Sequence, residues 1–97
     1  MSNASNVEGG CLCGAVRYRL AGTPEKIIQC HCIECQKASG TGASVNAPVA
    51  TADFEVIQGN PAVFSKEVHS GRTLYRYFCN QCGSPLFSMR ENVPEMT

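Results

Sequence analysis

Residues 79–83 read Cys-Asn-Gln-Cys-Gly and place two thiols three positions apart at the end of an alternating, strand-like run. Ser84 and Pro85 follow directly. Two thiolates on a tight turn, with a glycine behind them that can take a positive φ, form the half-site known as a zinc knuckle. A half-site needs a second pair of ligands, so this stretch predicts a fold that closes around a metal ion.

Residues 10–14, Gly-Cys-Leu-Cys-Gly, supply a second pair of thiols near the other end of the chain. In an extended segment residues i and i+2 point the same way, so both cysteines can chelate one ion while Leu12 faces the opposite side. The closed site would pin the N-terminal strand to the C-terminal hairpin. We therefore expect one structural zinc site formed by Cys11, Cys13, Cys79 and Cys82.

A third cluster lies at residues 30–35, Cys-His-Cys-Ile-Glu-Cys. The sulfurs of Cys30, Cys32 and Cys35 can converge on one ion, and three protein ligands leave an open position, as in catalytic zinc sites. Soft thiolates also favour zinc over hard cations. Three alternatives stay open: a closed site with His31 or Glu34 as fourth ligand, a metal-free thiol cluster, and a different pairing of the three clusters. His31 is the weaker fourth ligand, because on an extended stretch it points away from its cysteine neighbours.

Size and cysteine usage favour metal over disulfides. A chain of 97 residues forms one domain whose core alone gives little stability. Domains of this size usually add a cross-link such as a disulfide or a metal ion. Seven cysteines are an odd number, no apolar leader precedes the first of them, and they cluster at gaps of one and two residues. Free thiolates persist in a reducing compartment, so we expect a cytoplasmic protein.

Charge and hydropathy exclude two classes of partner. Lys plus Arg and Asp plus Glu both total 8, which gives a formal net charge of zero, whereas nucleic-acid binders carry a basic surplus. No apolar run approaches the length of a membrane-spanning helix. We therefore expect no nucleic-acid partner and no membrane association, and the sequence gives no prediction of the oligomeric state.

The apolar pattern has the two-residue period of strands. It predicts an all-β fold with little or no helix. The one helix candidate is a turn or two over residues 34–39, ended by Gly40. Two of the strands should pair across a turn at residues 69–71. The predicted strands cover residues 16–20, 26–29, 54–57, 62–66, 73–78 and 85–89.

The sequence pattern divides the chain into three parts. Residues 1–8 are predicted to be a disordered or tag-like N-terminus. Residues 9–90 are predicted to form a single zinc-binding β domain. Residues 91–97 are predicted to be a loose or truncated tail.

Three stretches together resemble one known family. Residues 10–16, 30–40 and 78–87 resemble the glutathione-dependent formaldehyde-activating enzyme family, which also includes centromere protein V-like proteins. All seven cysteines fall on the family's motif positions, and the resemblance covers about residues 9–90. It implies a small zinc-stabilised β-tent similar to the Mss4-like zinc proteins. It also implies structural ligands at Cys11, Cys13, Cys79 and Cys82 and catalytic-zinc ligands at Cys30, Cys32 and Cys35.

The resemblance further implies the condensation of formaldehyde with glutathione. This condensation is the reverse of a carbon–sulfur lyase reaction. Our leading hypothesis is thus a zinc-dependent enzyme whose partners are a small thiol such as glutathione and a small aldehyde. Metal-bound water, Ser39 and Glu34 are candidate proton donors. The alternative is a non-catalytic module in which zinc supports a protein-binding β surface. Family members usually continue with further strands beyond the last motif, where this chain stops at Thr97.

Overall fold

Antiparallel strands dominate the computed structural model, which describes residues 6–67, 71–91 and 93–97. One short helix, α1 (Ile33–Ser39), and a single 3-10 turn (Thr51–Asp53) interrupt the strands of this part of the chain. The predicted all-β fold is therefore confirmed. The strands are β1 (Val7–Gly10), β2 (Arg17–Leu20), β3 (Ile28–Cys30), β4 (Ser44–Asn46), β5 (Phe54–Gln58), β6 (Ala62–Glu67), β7 (Thr73–Phe78) and β8 (Pro85–Arg90).

The strands form three antiparallel sheets with the orders β1-β2-β5, β3-β4 and β6-β7-β8. Strands β6 and β7 form the predicted hairpin, with Ala62 opposite Phe78 and Glu67 opposite Thr73. Residues 69 and 70 of its predicted turn, including His69, lie outside the described residues. The helix starts at Ile33 and is followed by Gly40, close to the predicted bounds.

Two strands, β1 and β4, were not predicted. β1 contains two consecutive glycines and one large apolar residue, so it shows no alternation that a pattern search could find. Packing explains the glycine at position 9: a Cβ there would lie 2.6 Å from the hydroxyl oxygen of Tyr18, its partner on β2. β4 has only three residues, and it forms because β3 pairs with it, with Cys30 opposite Ser44.

An aromatic chain joins the two larger sheets. Tyr18 of β2 contacts Phe54 of β5, with ring centroids 5.4 Å apart. Phe54 then contacts Phe87 of β8 at 4.5 Å, and Phe87 stacks on Tyr77 of β7 at the same distance. Such pairs add to the stability gained from burying the rings. These ring contacts fix the β1-β2-β5 sheet against the β6-β7-β8 sheet.

The core is small and lies where the two ends of the chain meet. Among the residues described, only Cys11, Val16 and Cys79 are buried, with exposed fractions of 7%, 3% and 1%. Two of these three residues are cysteines of the predicted structural site. A core of this size leaves most apolar groups partly in water, so the fold depends on a further constraint at this point.

The two ends of the chain take part in backbone pairing. Val7 and Glu8, within the stretch predicted to be tag-like, lie in β1 and pair with β2. Near the C-terminus, Thr97 and Val49 exchange two N–H···O bonds of 2.9 and 3.0 Å. The division of the chain at residues 8 and 90 stays a prediction. No helix in the described part of the chain is long and apolar enough to cross a membrane.

Candidate metal centres

Four sulfurs from the two ends of the chain converge to form the four-cysteine cluster, Cys11, Cys13, Cys79 and Cys82, in which all lie within 4.8 Å of one another. The Sγ atoms of Cys11 and Cys13 are 3.6 Å apart, and those of Cys13 and Cys79 are 3.7 Å apart. A tetrahedral zinc ion with Zn–S bonds of about 2.3 Å separates its sulfurs by about 3.8 Å, whereas a disulfide requires about 2.05 Å. The cluster fits a four-thiolate metal site.

The two halves of this cluster have the same local architecture. The backbone N–H of Cys11 donates to the carbonyl of Val16 at 3.1 Å, and the N–H of Cys79 donates to the carbonyl of Ser84 at 3.0 Å. Each turn therefore closes over six residues. Val16 N–H also donates to the Cys11 sulfur at 3.3 Å, which lowers the pKa of that thiol. The repeated geometry confirms that residues 10–14 and 79–83 both form tight turns around a sulfur pair.

A glycine completes each turn. Gly14 and Gly83 have φ values of 83° and 78°, in the left-handed region that side chains with a Cβ rarely adopt. Their N–H groups donate to the carbonyls of Cys11 and Cys79 at 3.2 and 2.8 Å. The positive φ expected for Gly83 from the sequence is therefore observed.

Ser84 links the two halves. Its hydroxyl oxygen accepts the backbone N–H of Leu12 at 3.0 Å and lies 3.1 Å from the sulfur of Cys82. Hydrogen bonds from the Ser84 hydroxyl and then from its backbone N–H lower the pKa of Cys82 to about 5. Cys82 is therefore a thiolate at neutral pH, ready to act as a metal ligand.

The neighbouring sulfurs determine the pKa of Cys13, the second thiol of the N-terminal pair. A hydrogen bond from the Ala15 N–H favours the Cys13 thiolate, but the neighbouring sulfurs, Cys11 first, raise the pKa of Cys13 to about 11. The cluster thus holds thiols that cannot all ionise on their own. A bound cation would relieve this repulsion, because coordinated thiols are deprotonated.

The three-cysteine cluster, Cys30, Cys32 and Cys35, lies within a single stretch of six residues. Cys30 ends β3, Cys32 immediately precedes α1, and Cys35 lies in its first turn. Their sulfurs also lie within 4.8 Å of one another, with 3.5 Å between Cys30 and Cys32. The Cys32 carbonyl accepts the N–H of Gln36 at 3.0 Å, so the start of the helix fixes the spacing of the sulfurs.

No fourth His, Asp or Glu joins this cluster within the part of the chain that the structure describes. The Glu34 carboxylate lies 3.6 Å from the Nζ of Lys66 on β6. His31 is exposed, and its carbonyl oxygen accepts a hydrogen bond of 2.8 Å from Gln36 Nε2. A metal ion held here by three sulfurs would keep an open coordination position.

The three thiols differ in their surroundings. Burial raises the pKa of Cys35, but hydrogen bonds, first from Ser44 and then from groups that include the Arg76 guanidinium, outweigh this effect and lower it. A hydrogen bond from the Cys32 N–H lowers the pKa of Cys30. The sulfurs of Cys35 and Cys32 have a larger, opposite effect, so the net result is a pKa above the ordinary value. The thiolate form is therefore favoured at Cys35 and disfavoured at Cys30.

A cleft of about 810 Å³ adjoins the three-cysteine cluster. Helix α1 and strand β4 form one wall, and the β6-β7-β8 sheet forms the other. Ser44 and Arg76, two of the four side chains that lower the pKa of Cys35, both line it. The sequence analysis did not identify Arg76, because it sits inside an ordinary strand with no motif around it. The strand register places it opposite Phe64 and Ser88, which also line the cleft.

Comparison with known proteins identifies the family to which this chain belongs. The family model for the glutathione-dependent formaldehyde-activating enzyme matches residues 6–97. The chain belongs to this family. A relative from Halomonas elongata, which carries the family's name provisionally, is 33% identical over 95 residues, covering 93% of this chain and 60% of the relative. The chain therefore spans about 60% of the length of that curated relative.

A solved structure supports the fold. The crystal structure of a Rhodobacter sphaeroides protein superposes with a TM-score of 0.71, covering 93% of this chain and 80% of the other. The two sequences are 23% identical, so the likeness concerns the fold alone. The predicted family resemblance is confirmed, and the seven cysteines gather in two groups that could each bind a metal ion. Which group is structural and which is catalytic stays a prediction.

Proposed function

We propose that the chain is a zinc-dependent enzyme of the carbon–sulfur lyase type. It would condense a glutathione-like thiol with formaldehyde or another small aldehyde, or cleave the adduct, in the cytoplasm. The observation that carries this proposal is the three-cysteine cluster, which offers three converging sulfurs and no fourth described His, Asp or Glu beside a cleft of about 810 Å³. Membership of the family supports the same reaction.

The reaction itself makes few demands on the protein. The thiol sulfur attacks the carbonyl carbon, a C–S bond forms, and the C=O π bond breaks to leave an oxygen that takes up a proton. The thiol loses one proton to solvent and the new hydroxyl gains one, so the addition balances without an oxidant or reductant. Holding the two reactants together supplies much of the acceleration, because it removes the entropic cost of their encounter.

Cys30, Cys32 and Cys35 would hold the zinc ion of this site. When bound there, zinc would supply positive charge that favours the deprotonated form of an incoming thiol. The hydroxyl of Ser44 and the guanidinium of Arg76 stabilise the Cys35 thiolate from the cleft side. The adjoining cleft would bind the thiol and the aldehyde.

The two side chains considered as proton donors are engaged elsewhere. The Ser39 hydroxyl donates to the carbonyl of Cys35 at 2.8 Å, as part of the last turn of α1. The carboxylate of Glu34 is paired with Lys66. We therefore propose that water in the open cleft supplies the proton to the adduct oxygen.

We assign the four-cysteine cluster to a structural zinc ion. Its donors come from both ends of the chain, and they include two of the three buried residues in the described part of the fold. Structural zinc sites in proteins are closed by four ligands of this kind. The ion would replace the large apolar core that this fold lacks.

Thiol binding and turnover test the proposal together. Isothermal titration of glutathione into the zinc-loaded chain should give binding that Cys35→Ser abolishes. NMR exchange spectroscopy should then show faster interconversion of formaldehyde and its thiol adduct with the wild-type chain than with the variant. Binding that survives Cys35→Ser would place the thiol elsewhere and contradict the assignment.

One observation favours a second function, a zinc-supported protein-binding module. Ile33, Val45 and Phe64 line the same cleft, and each is more than half exposed. Exposed apolar groups around a groove are typical of interaction sites. A module of this kind would bind no small thiol at the three-cysteine cluster and accelerate no adduct exchange, so the titration and NMR experiments separate the two functions.

A further inference from the structure

A second pocket, of about 470 Å³, lies beside the cleft of about 810 Å³. Strands β4 and β8 contribute side chains to both, so the two spaces adjoin each other. A volume of this size is enough to hold a small organic group. The function proposed above uses the cleft alone and assigns no occupant to this pocket. The shared lining residues are Val45, Asn46, Leu86, Phe87 and Ser88.

The lining of the second pocket is largely apolar. Tyr18, Phe54 and Phe87 all line it, so the chain of ring contacts that joins the two larger sheets forms part of its wall. Arg90 is the one charged side chain among the described lining residues, and it is exposed. Removing a hydrocarbon group from water against such a wall is favourable. The pocket therefore suits an apolar group.

The two-stranded β3-β4 sheet connects the three-cysteine cluster with this pocket. Cys30 lies opposite Ser44, and Ile28 lies opposite Asn46. Cross-strand partners project from the same face of a sheet, and so do residues two positions apart on one strand, so these four side chains share one face. Ser44 lines the cleft, Asn46 lines both spaces and Ile28 lines the pocket. One face of the sheet therefore runs from a cysteine of the cluster to the apolar pocket.

Strand geometry sets the distance between the two. Cys30 and Ile28 are two positions apart on β3, which corresponds to about 7 Å along an extended strand. A hydrocarbon chain of about five carbon atoms covers such a distance. A reactant at the three-cysteine cluster could therefore place a short alkyl chain in the pocket. Formaldehyde has no carbon beyond its carbonyl group and would leave the pocket empty of substrate.

We propose that this pocket binds an apolar substituent of the aldehyde, so that the chain acts on aldehydes that carry a hydrocarbon group of about five carbon atoms. Ile28 is then a specificity-determining residue. The inference rests on the proposed function, because it assumes that the aldehyde reacts at the three-cysteine cluster. The addition itself is unchanged: a C–S bond forms at the carbonyl carbon, the C=O π bond breaks and the oxygen takes up a proton, while the substituent takes no part.

The test compares acetaldehyde with pentanal, whose carbonyl groups are alike in reactivity and which differ by a run of methylenes. NMR exchange spectroscopy measures the interconversion of each aldehyde and its glutathione adduct with the zinc-loaded full chain, relative to the rate without protein. Burying one methylene favours binding by about fourfold, so we expect the acceleration to be at least about 10-fold larger for pentanal. Ile28→Gln should reduce this preference by about threefold or more. Ile27→Gln is the matched control, because this neighbouring isoleucine is 64% exposed, lines neither space and should keep the whole preference.

Several outcomes would overturn the proposal. Equal acceleration of the acetaldehyde and pentanal reactions, or acceleration with formaldehyde alone, would refute an apolar substituent site while leaving the proposed function intact. An equal loss of preference in Ile28→Gln and Ile27→Gln would place the pentanal chain outside the pocket. If no aldehyde reacts faster, formaldehyde included, both this inference and the proposed function fail. Ile28 is 43% exposed, so Ile28→Gln should keep its fold by circular dichroism. Should it unfold, the comparison of the two aldehydes with the wild-type chain still decides the matter.

Discussion

The two cysteine clusters are built from the same atoms but in opposite ways. The four-cysteine cluster joins residues up to 71 positions apart, buries Cys11 and Cys79, and receives hydrogen bonds from surrounding backbone N–H groups. The three-cysteine cluster comes from six consecutive residues, leaves Cys32 exposed and adjoins a cleft. Closing a long loop has a large entropic cost, whereas a helix start places three local sulfurs at little cost. This difference favours the proposed division, in which the first cluster supports folding and the second supports binding.

The largest expected effect separates the clusters by stability. Structural zinc in small domains supplies on the order of 10 kcal/mol, comparable to the whole stability of a domain. Cys79→Ser removes a buried ligand from the long-range cluster, so this variant should fail to fold, whereas Cys32→Ser should stay folded. Thermal unfolding followed by circular dichroism measures both variants. An equal loss of Tm would show that the two clusters do not differ in this way.

Metal removal sharpens the same comparison with a smaller perturbation. We expect two zinc ions per chain, and a chelator added in steps should withdraw the ion of the exposed cluster first. Secondary structure should persist after the first ion leaves and collapse when the second leaves, because only the second closes the fold. Elemental analysis and circular dichroism on the same samples follow the two steps. Simultaneous loss of both ions and of the fold would contradict the distinction.

The smallest expected effect concerns Ser84, which connects the halves of the four-cysteine cluster. Ser84→Ala removes its hydroxyl contacts with Leu12 and Cys82, and such a hydrogen bond contributes about 1 kcal/mol. The pKa of Cys82 should rise from about 5 towards its ordinary range, so protons would compete with zinc at higher pH. Acid titration with a zinc-sensitive dye should therefore detect release at a higher pH than in the wild-type chain.

A serine elsewhere on the surface provides the control for this titration. Ser65 lies on β6 and is exposed, so Ser65→Ala should release zinc at the wild-type pH. An unchanged release curve for Ser84→Ala would mean that the turns hold the sulfurs without the help of this hydroxyl.

The sequence predicted those parts of the molecule whose physics is local. Cysteine spacing and the adjacent glycines predicted both turns of the four-cysteine cluster, and alternation predicted the hairpin of β6 and β7. The sequence did not predict features that depend on distant residues: β1 is a strand in which Gly9 fits against Tyr18, and β4 is a strand because Cys30 pairs opposite Ser44. Arg76 escaped for the same reason, since its meaning depends on a neighbour 41 positions earlier in the chain, Cys35.

Strand β7 leads directly into the four-cysteine cluster, because Cys79 follows its last residue, Phe78. Arg76, which lines the cleft, lies three residues before Cys79, a member of the four-cysteine cluster. At about 3.3 Å per residue, these two positions are about 10 Å apart along the chain. A metal ion bound by the four-cysteine cluster would therefore fix the end of β7 and, with it, the position of the cleft residues at the centre of the strand. If the proposed structural zinc ion were lost, Arg76 and the wall of the cleft would lose their support at the same time, so the cleft would depend on an ion that it does not itself bind.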